Sequence, residues 1–335
     1  MKELLQRRTV IVNTALALGV AVAAVAALSL GTIPLHPVGV LKAFTAGEAS
    51  PQMTLILFEL RLPRVMAGAL TGAAFALAGC LMQTLARNRL ATPGIIGIDN
   101  AATAFAVASI TGVGIALAPP AMALVGAATA AALAFALAGR TGTRGYPFIM
   151  AGVGIGAIAG AITQLMLTRV AIDAANAAYP WTVGSLNSRE AMATHLLAGG
   201  LALGWLAALG IGRHLNVLRL SETVATGLGT HPGRLRLAGL GIAILLTGLA
   251  VAVAVAGPVG FVALLGPEMT RSVSHPAHVP LTASALAGAI LMLLADLAGR
   301  MILAPLEVPV GIVTAIAGSP WLLWILLRQT PGRAL

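Results

Sequence analysis

The chain has 335 residues, of which 59% are hydrophobic and only 9% charged, and it carries a formal net charge of +10. Soluble domains carry about 25% charged residues, so the composition excludes a domain built to face water on all sides. The excess of basic residues would suggest nucleic acid in a soluble chain. Here they are scattered over short loops beside apolar runs with no aromatic interleaving, which excludes that partner and leaves the lipid bilayer.

In chain order the apolar runs predict ten membrane spans: 9–30, 64–86, 93–113, 117–139, 147–169, 191–212, 235–256, 258–273, 281–301 and 307–327. Most reach the roughly 20 residues that a bilayer core demands. The first run is too long for a signal-peptide h-region and is followed by further spans, so it reads as a retained helix. The eighth is short and follows the seventh directly at Ala256-Gly257-Pro258. It reads as tilted, partial, or enclosed wholly by protein, where irregular backbone at membrane depth is tolerated. The fold class is all-α and polytopic, one transmembrane domain over residues 1–335. Glycine clusters at Gly68–Gly72 and Gly152–Gly156 read as seams for close helix contact. The lone Cys80 reads as packing.

The basic residues orient the chain. With the N-terminus inside, fourteen of them fall on the cytoplasmic side: Lys2, Arg7, Arg8, Arg87, Arg89, Arg140, Arg144, Arg213, Arg219, Arg234, Arg236, Arg271, Arg328 and Arg333. Six fall outside: Lys42, Arg61, Arg64, Arg169, Arg189 and Arg300. This asymmetry predicts both termini in the cytoplasm.

Enzyme motifs are missing from the sequence. A P-loop needs a lysine after its glycine-rich turn, and the lysines are Lys2 and Lys42. The histidines form no HExxH, and Pro276 between His275 and His278 favours a loop over metal ligation. Asp296 and Arg300, four apart on one helix, read as a mutually neutralising pair. Neither a cofactor nor a metal site is expected in the chain. The ten acidic residues fall near span ends or in loops, which disfavours an ion-coupled secondary transporter with carboxylates at the midplane.

One stretch departs from the apolar pattern. "HLNVLRLSETVATGLGTHPGRLRL", His214–Leu237, carries charge yet repeats Leu215, Leu218, Leu220, Val224 and Leu228 at helical spacing and reaches Gly229, a helix stop. It predicts a short amphipathic helix exposed at the cytoplasmic face, in a segment of about 214–232.

Seven motifs then follow one another in order: "RLPR" at Arg61–Arg64, "LAGCLMQTLARNRLATPGIIGID" at Leu77–Asp99, "WTVGSL" at Trp181–Leu186, "LNVLRLSETVATGLG" at Leu215–Gly229, "GPVGFVALLGPEMTR" at Gly257–Arg271, "LLADLAGR" at Leu293–Arg300 and "EVPVGIVTAIAGSPWLLWIL" at Glu307–Leu326. In this order and spacing the chain resembles the permeases of the iron-siderophore, haem and vitamin B12 family of ATP-binding-cassette importers, over nearly its whole length.

The resemblance implies a ten-helix permease of the bacterial inner membrane that pairs with a second permease subunit. Two ATPase subunits, which hold ATP and Mg, bind below, and a periplasmic substrate-binding protein docks above. The amphipathic segment is then the coupling element: Leu215, Leu218, Arg219, Leu220, Ser221, Glu222, Val224, Ala225, Leu228 and Gly229, with Leu218, Leu220 and Val224 filling a groove of the ATPase. The cytoplasmic gate maps to Asn88, Arg89 and Leu90 and to Gly145 and Tyr146. Arg61, Arg64 and Arg300 map to salt bridges with the binding protein. The competing reading satisfies Arg300 by Asp296 or Glu307, and Arg61 or Arg64 by Glu59.

Three departures matter. The family usually has proline where this chain has Arg89, which either reaches an anionic substrate or follows the positive-inside rule. It tends to have a glycine-containing turn where this chain has Ile98-Asp99-Asn100-Ala101-Ala102. It usually has histidine where this chain has Glu268, either a substrate contact or a structural partner of Arg271. Glu268 resembles hetero-dimeric siderophore permeases more than haem or B12 ones. The expectation is therefore a ferric siderophore as substrate and a non-identical partner permease, with haem or B12 as the alternative.

Overall fold

The computed structural model of the chain describes residues 2–45, 47, 50–113, 117–138, 145–186, 191–220, 222–254, 259–273 and 278–328. Among these residues there are fourteen α-helices and no strand. The ten apolar segments coincide with α1 (Lys2–Ser29), α4 (Leu62–Ala86), α5 (Ile98–Ile110), α6 (Pro119–Ala138), α7 (Gly145–Arg169), α9 (Ala191–Leu218), α11 (Pro232–Ala254), α12 (Gly260–Val273), α13 (Leu281–Met301) and α14 (Val310–Arg328). Among the described residues seven helices are long and apolar enough to cross a membrane, so the chain is a multi-pass membrane protein.

The segment at 93–113 is not one helix. Pro93–Ile96 forms a 3-10 turn, Gly97 adopts φ +73°, and only then does α5 begin. Gly97 therefore supplies the break, which resolves where the helix starts despite the unusual residues after it. With 13 residues α5 rises about 20 Å, short of a bilayer core. The 14-residue α12, interrupted by Pro267, is equally short.

Four helices lie outside the apolar runs: α2 (Pro37–Thr45), α3 (Pro51–Thr54), α8 (Ile172–Val183) and α10 (Glu222–Gly227). Ser50 caps α3 by accepting from the Met53 amide at 3.2 Å, with Pro51 in the first position. A π-helical stretch, Leu55–Arg61, continues α3 into α4, giving 36 helical residues from Pro51 to Ala86 rather than a start at residue 64.

Helix α4 is the centre of the bundle and packs against α13, α11, α12 and α9. Small residues make this possible. A Cβ added at Gly72 would stand 2.3 Å from the Gly288 carbonyl, and one at Gly79 would stand 1.8 Å from that of Ala263. Gly152 likewise meets the Ile96 backbone, whereas Gly154 faces open space and is no seam. Phe75, Leu77, Leu81 and Met292 fill the core. By contrast, Val10, Leu18 and Val22 of α1, Ile158 and Leu165 of α7, and Leu203 and Leu206 of α9 are exposed. Apolar faces of that extent suit lipid or another subunit rather than water.

Candidate functional site

Functional residues gather at the two ends of the bundle. The lower end is where α4, α9 and α12 terminate and α1 begins; Arg8 of α1 donates to the Val273 carbonyl at the end of α12, at 3.2 Å. The upper end is where α1 and α13 finish and α4 starts.

At the lower end the coupling segment is two pieces, not one amphipathic helix. Helix α9 runs on to Leu218, and the Leu220 amide donates to the Val217 carbonyl at 3.0 Å as the chain turns. A separate α10 (Glu222–Gly227) follows and closes at Gly229, φ +79°. Thr230 folds back under it, its amide and hydroxyl both donating to the Ala225 carbonyl.

This break divides the predicted residues. Leu215, Leu218 and Ala225 are fully enclosed by their own chain, so the expectation that Leu218 fills a partner's groove is corrected. Leu220, Val224 and Leu228 are 49%, 47% and 62% exposed and form the apolar surface actually presented. Arg219 is exposed beside them. Ser221 and the side chain of Glu222 lie outside the described residues.

Beside this segment lies the corner after α4. Arg87 ends the helix in the left-handed conformation at φ +50°, and the Asn88 amide donates to the Gln83 carbonyl at 3.1 Å. The Asn88 side chain then accepts from the Leu90 amide at 2.9 Å, which fixes the turn. From this corner Arg87 donates to the carbonyls of Leu218, at 3.0 Å from Nε and 2.7 Å from Nη2, and of Leu220. Arg89 donates to Glu268 of α12 at 3.3 Å. Glu268 therefore hydrogen-bonds Arg89, while among the described residues it makes no ion-pair contact with Arg271, the partner expected, and meets it only through the attraction of their charges. A cleft of about 300 Å³ borders the corner, lined by Met82, Leu85, Ile95, Phe148 and Leu240. Gly145 and Tyr146 begin α7, but their surroundings lie outside the described residues.

At the upper end the three arginines turn inward. Arg61 is 8% exposed and donates to the carbonyls of Leu28, at 2.6 Å, and Ser29, at 3.1 Å, and also to that of Ile33. It thereby closes the end of α1, where orphan carbonyls attract a cation. Arg64 forks Asp296 at 3.0 Å from Nε and 2.8 Å from Nη2, and its Nη1 reaches Glu307 at 3.0 Å. Arg300 holds the other side of Asp296, with Nε 3.1 Å from Oδ2, and donates to the Ala27 carbonyl at 3.2 Å. Each of Arg61, Arg64 and Arg300, expected as docking residues, thus has partners in its own chain. Arg300 pairs with Asp296, as the competing reading had it, whereas Glu59, expected to satisfy Arg61 or Arg64, is exposed, and those two are held by backbone carbonyls and by Asp296 and Glu307.

Comparison with other proteins places these features in context. Residues 19–328 match the model of the FecCD transport family. The chain is 36% identical over 311 residues to the achromobactin transport system permease protein CbrC of Dickeya dadantii (strain 3937), covering 91% of this chain and 88% of that one. It is 33% identical over 325 residues to the ferric enterobactin transport system permease protein FepG of Escherichia coli (strain K12), covering 97% and 98%. In fold it is similar to a transporter described as of the metal-chelate ABC type in an inward-facing conformation. That likeness has a TM-score of 0.82 at 24% identity, over 96% of this chain and all of the other.

Proposed function

The chain belongs to the FecCD transport family, and from that premise we propose that it is the permease subunit of an ATP-binding-cassette importer that moves a ferric siderophore across the bacterial inner membrane. The relatives named for achromobactin and ferric enterobactin transport support the substrate class. On this reading all ten helices are membrane segments, α5 and α12 enclosed as short pieces, and both termini face the cytoplasm, which the fourteen-to-six division of basic residues supports. Two ATPase subunits, which hold the ATP and Mg, dock below. A periplasmic binding protein docks above, and a second, non-identical permease completes the pathway. No cofactor resides in this chain.

The observation that carries the reading is the exposed row Leu220, Val224 and Leu228, one on the short α10 and one on either side of it, beside Arg219. Three apolar side chains standing out on a charged turn at a helix end suit a groove in another protein. A rigid push on that turn passes straight into α9 and, through its carbonyls, into Arg87. The test is reconstitution with the ATPase, the partner permease and the binding protein, followed by uptake of a labelled panel of ferric siderophores, haem and B12. Uptake of a ferric siderophore that requires ATP supports the assignment; uptake of haem or B12 alone replaces the substrate.

A further inference from the structure

We infer that Arg87 is the positioning residue that links the coupling segment to the cytoplasmic gate, transmitting movement of the segment to the corner at Asn88–Leu90. The inference rests on the ABC-importer reading above, because it needs an ATPase to move the segment.

Backbone conformation comes first. Among the described non-glycine residues Arg87 is the one with positive φ, at +50°. A left-handed helix end belongs to glycine or asparagine, since any other Cβ crowds the following carbonyl. Strain of this kind persists where surrounding structure over-determines it, and an observed outlier is a reason to ask what it does. The backbone needs a left-handed residue here, but it does not need arginine.

The side chain explains the choice. Its guanidinium carries three donor contacts to two carbonyls, Leu218 and Leu220, 131 and 133 residues away. Those carbonyls lie at the end of α9, where the first exposed residue of the coupling surface, Leu220, begins. A helix C-terminus carries negative partial charge, so a cation there is favoured, and the planar fork can hold two acceptors at once where a lysine ammonium acts as a point charge. One residue thus belongs by its backbone to the gate corner and by its side chain to the coupling segment.

What lies on either side gives the link its use. The corner is internally rigid, because Asn88 accepts from Leu90, and Arg89 extends from it to Glu268 on α12. The adjoining cleft of about 300 Å³ leaves space for the corner to shift. Displacement of Leu218–Leu220 therefore pulls Arg87, and a corner that moves as a unit carries Arg89 and its hold on α12 with it.

Glycine at this position separates transmission from folding. Arg87→Gly removes the fork while relieving the left-handed strain, which offsets part of the lost hydrogen bonding, so the complex is expected to assemble with at most a modestly lowered melting temperature. The test uses the full complex in proteoliposomes, with radioiron-labelled ferric citrate, a ferric trihydroxamate and a ferric triscatecholate as probes. Uptake and ATP hydrolysis are measured together for the wild type, Arg87→Gly and Arg87→Lys. Uptake per ATP is expected to fall about tenfold in Arg87→Gly, which is about 1.4 kcal/mol of coupling, while hydrolysis continues and Arg87→Lys recovers part of the loss. Wild-type uptake per ATP in Arg87→Gly, or failure of that variant to assemble, overturns the inference and leaves Arg87 a structural cap. Absence of ATP-driven uptake in the wild type is a different result: it removes the importer reading, and the inference with it.

Discussion

Arg89 and Glu268 stand 3.3 Å apart, Nη1 to Oε1, joining the corner after α4 to the second half of α12. These are two of the positions at which the chain departs from the pattern it otherwise resembles, and they are each other's partner. Glu268 is only 14% exposed, so replacing its histidine-like role with a carboxylate requires a nearby cation, and Arg89 supplies it. The single changes Arg89→Gln and Glu268→Gln should each lower the thermal stability of the purified complex. A double-mutant cycle should return a coupling of about 1 kcal/mol for so exposed an arginine. Additive single effects would show that the two charges do not interact.

The upper arginines lead to a different expectation. Asp296 is shared by Arg64 and Arg300 and is 4% exposed. Asp296→Ala leaves two guanidiniums short of their anion inside the bundle, at a cost of about 3 kcal/mol. The yield of folded permease should drop, and Arg64→Glu should do the same. A selective loss of binding-protein affinity in a normally folded Arg64→Glu complex would instead support a docking role.

The coupling surface separates by burial. Val224→Asp, at a position 47% exposed, should change folding by no more than about 0.5 kcal/mol yet abolish ATPase association. Leu218→Asp puts a carboxylate in a fully enclosed place, costing several kcal/mol (about 3 or more), and should prevent folding altogether. Pull-down of the ATPase alongside size-exclusion chromatography of the permease checks both; equal behaviour of the two variants contradicts the division of the segment into two pieces.

Helix contact gives a fourth expectation. Gly72→Val drives a branched side chain into the Gly288 carbonyl and should cost about 3 kcal/mol or more. Gly154→Val meets open space and should be tolerated. Melting of the two variants in detergent measures the difference.

Much of this was legible in the sequence because bilayer physics writes itself into composition. The apolar runs of about 20 residues became helices, as backbone groups in lipid have no other solution; the run 93–113 is the exception, with a 3-10 turn before the 13-residue α5. The place of this exposed segment was legible too, since charge beside Leu220, Val224 and Leu228 has no reason to occur inside a bilayer. Its internal division was not: Leu215 to Leu228 keeps helical spacing, and nothing local marks the turn at Arg219–Leu220 that sends Leu218 inward and Leu220 outward. The direction of Arg61, Arg64 and Arg300 was hidden for a similar reason. A count of charges reports the side of the membrane, not which way a guanidinium points. The contacts of Arg87 were missed because it looked like one more positive-inside residue. The available signal was that "LARNRLATPG" offers no glycine near the end of α4, so a side-chain-bearing residue had to take the left-handed position. Helix α8 escaped because its 12 residues include Asp173, Asn176 and Pro180 and form no apolar run.

The most direct test is uptake of a radioiron-labelled ferric siderophore into proteoliposomes holding the complete complex, with ATP supplied on the ATPase side and all ion gradients collapsed. The account predicts accumulation that requires hydrolysable ATP and the binding protein and is lost in Val224→Asp. Accumulation driven by an imposed ion gradient without ATP, and unchanged in Val224→Asp, would contradict it.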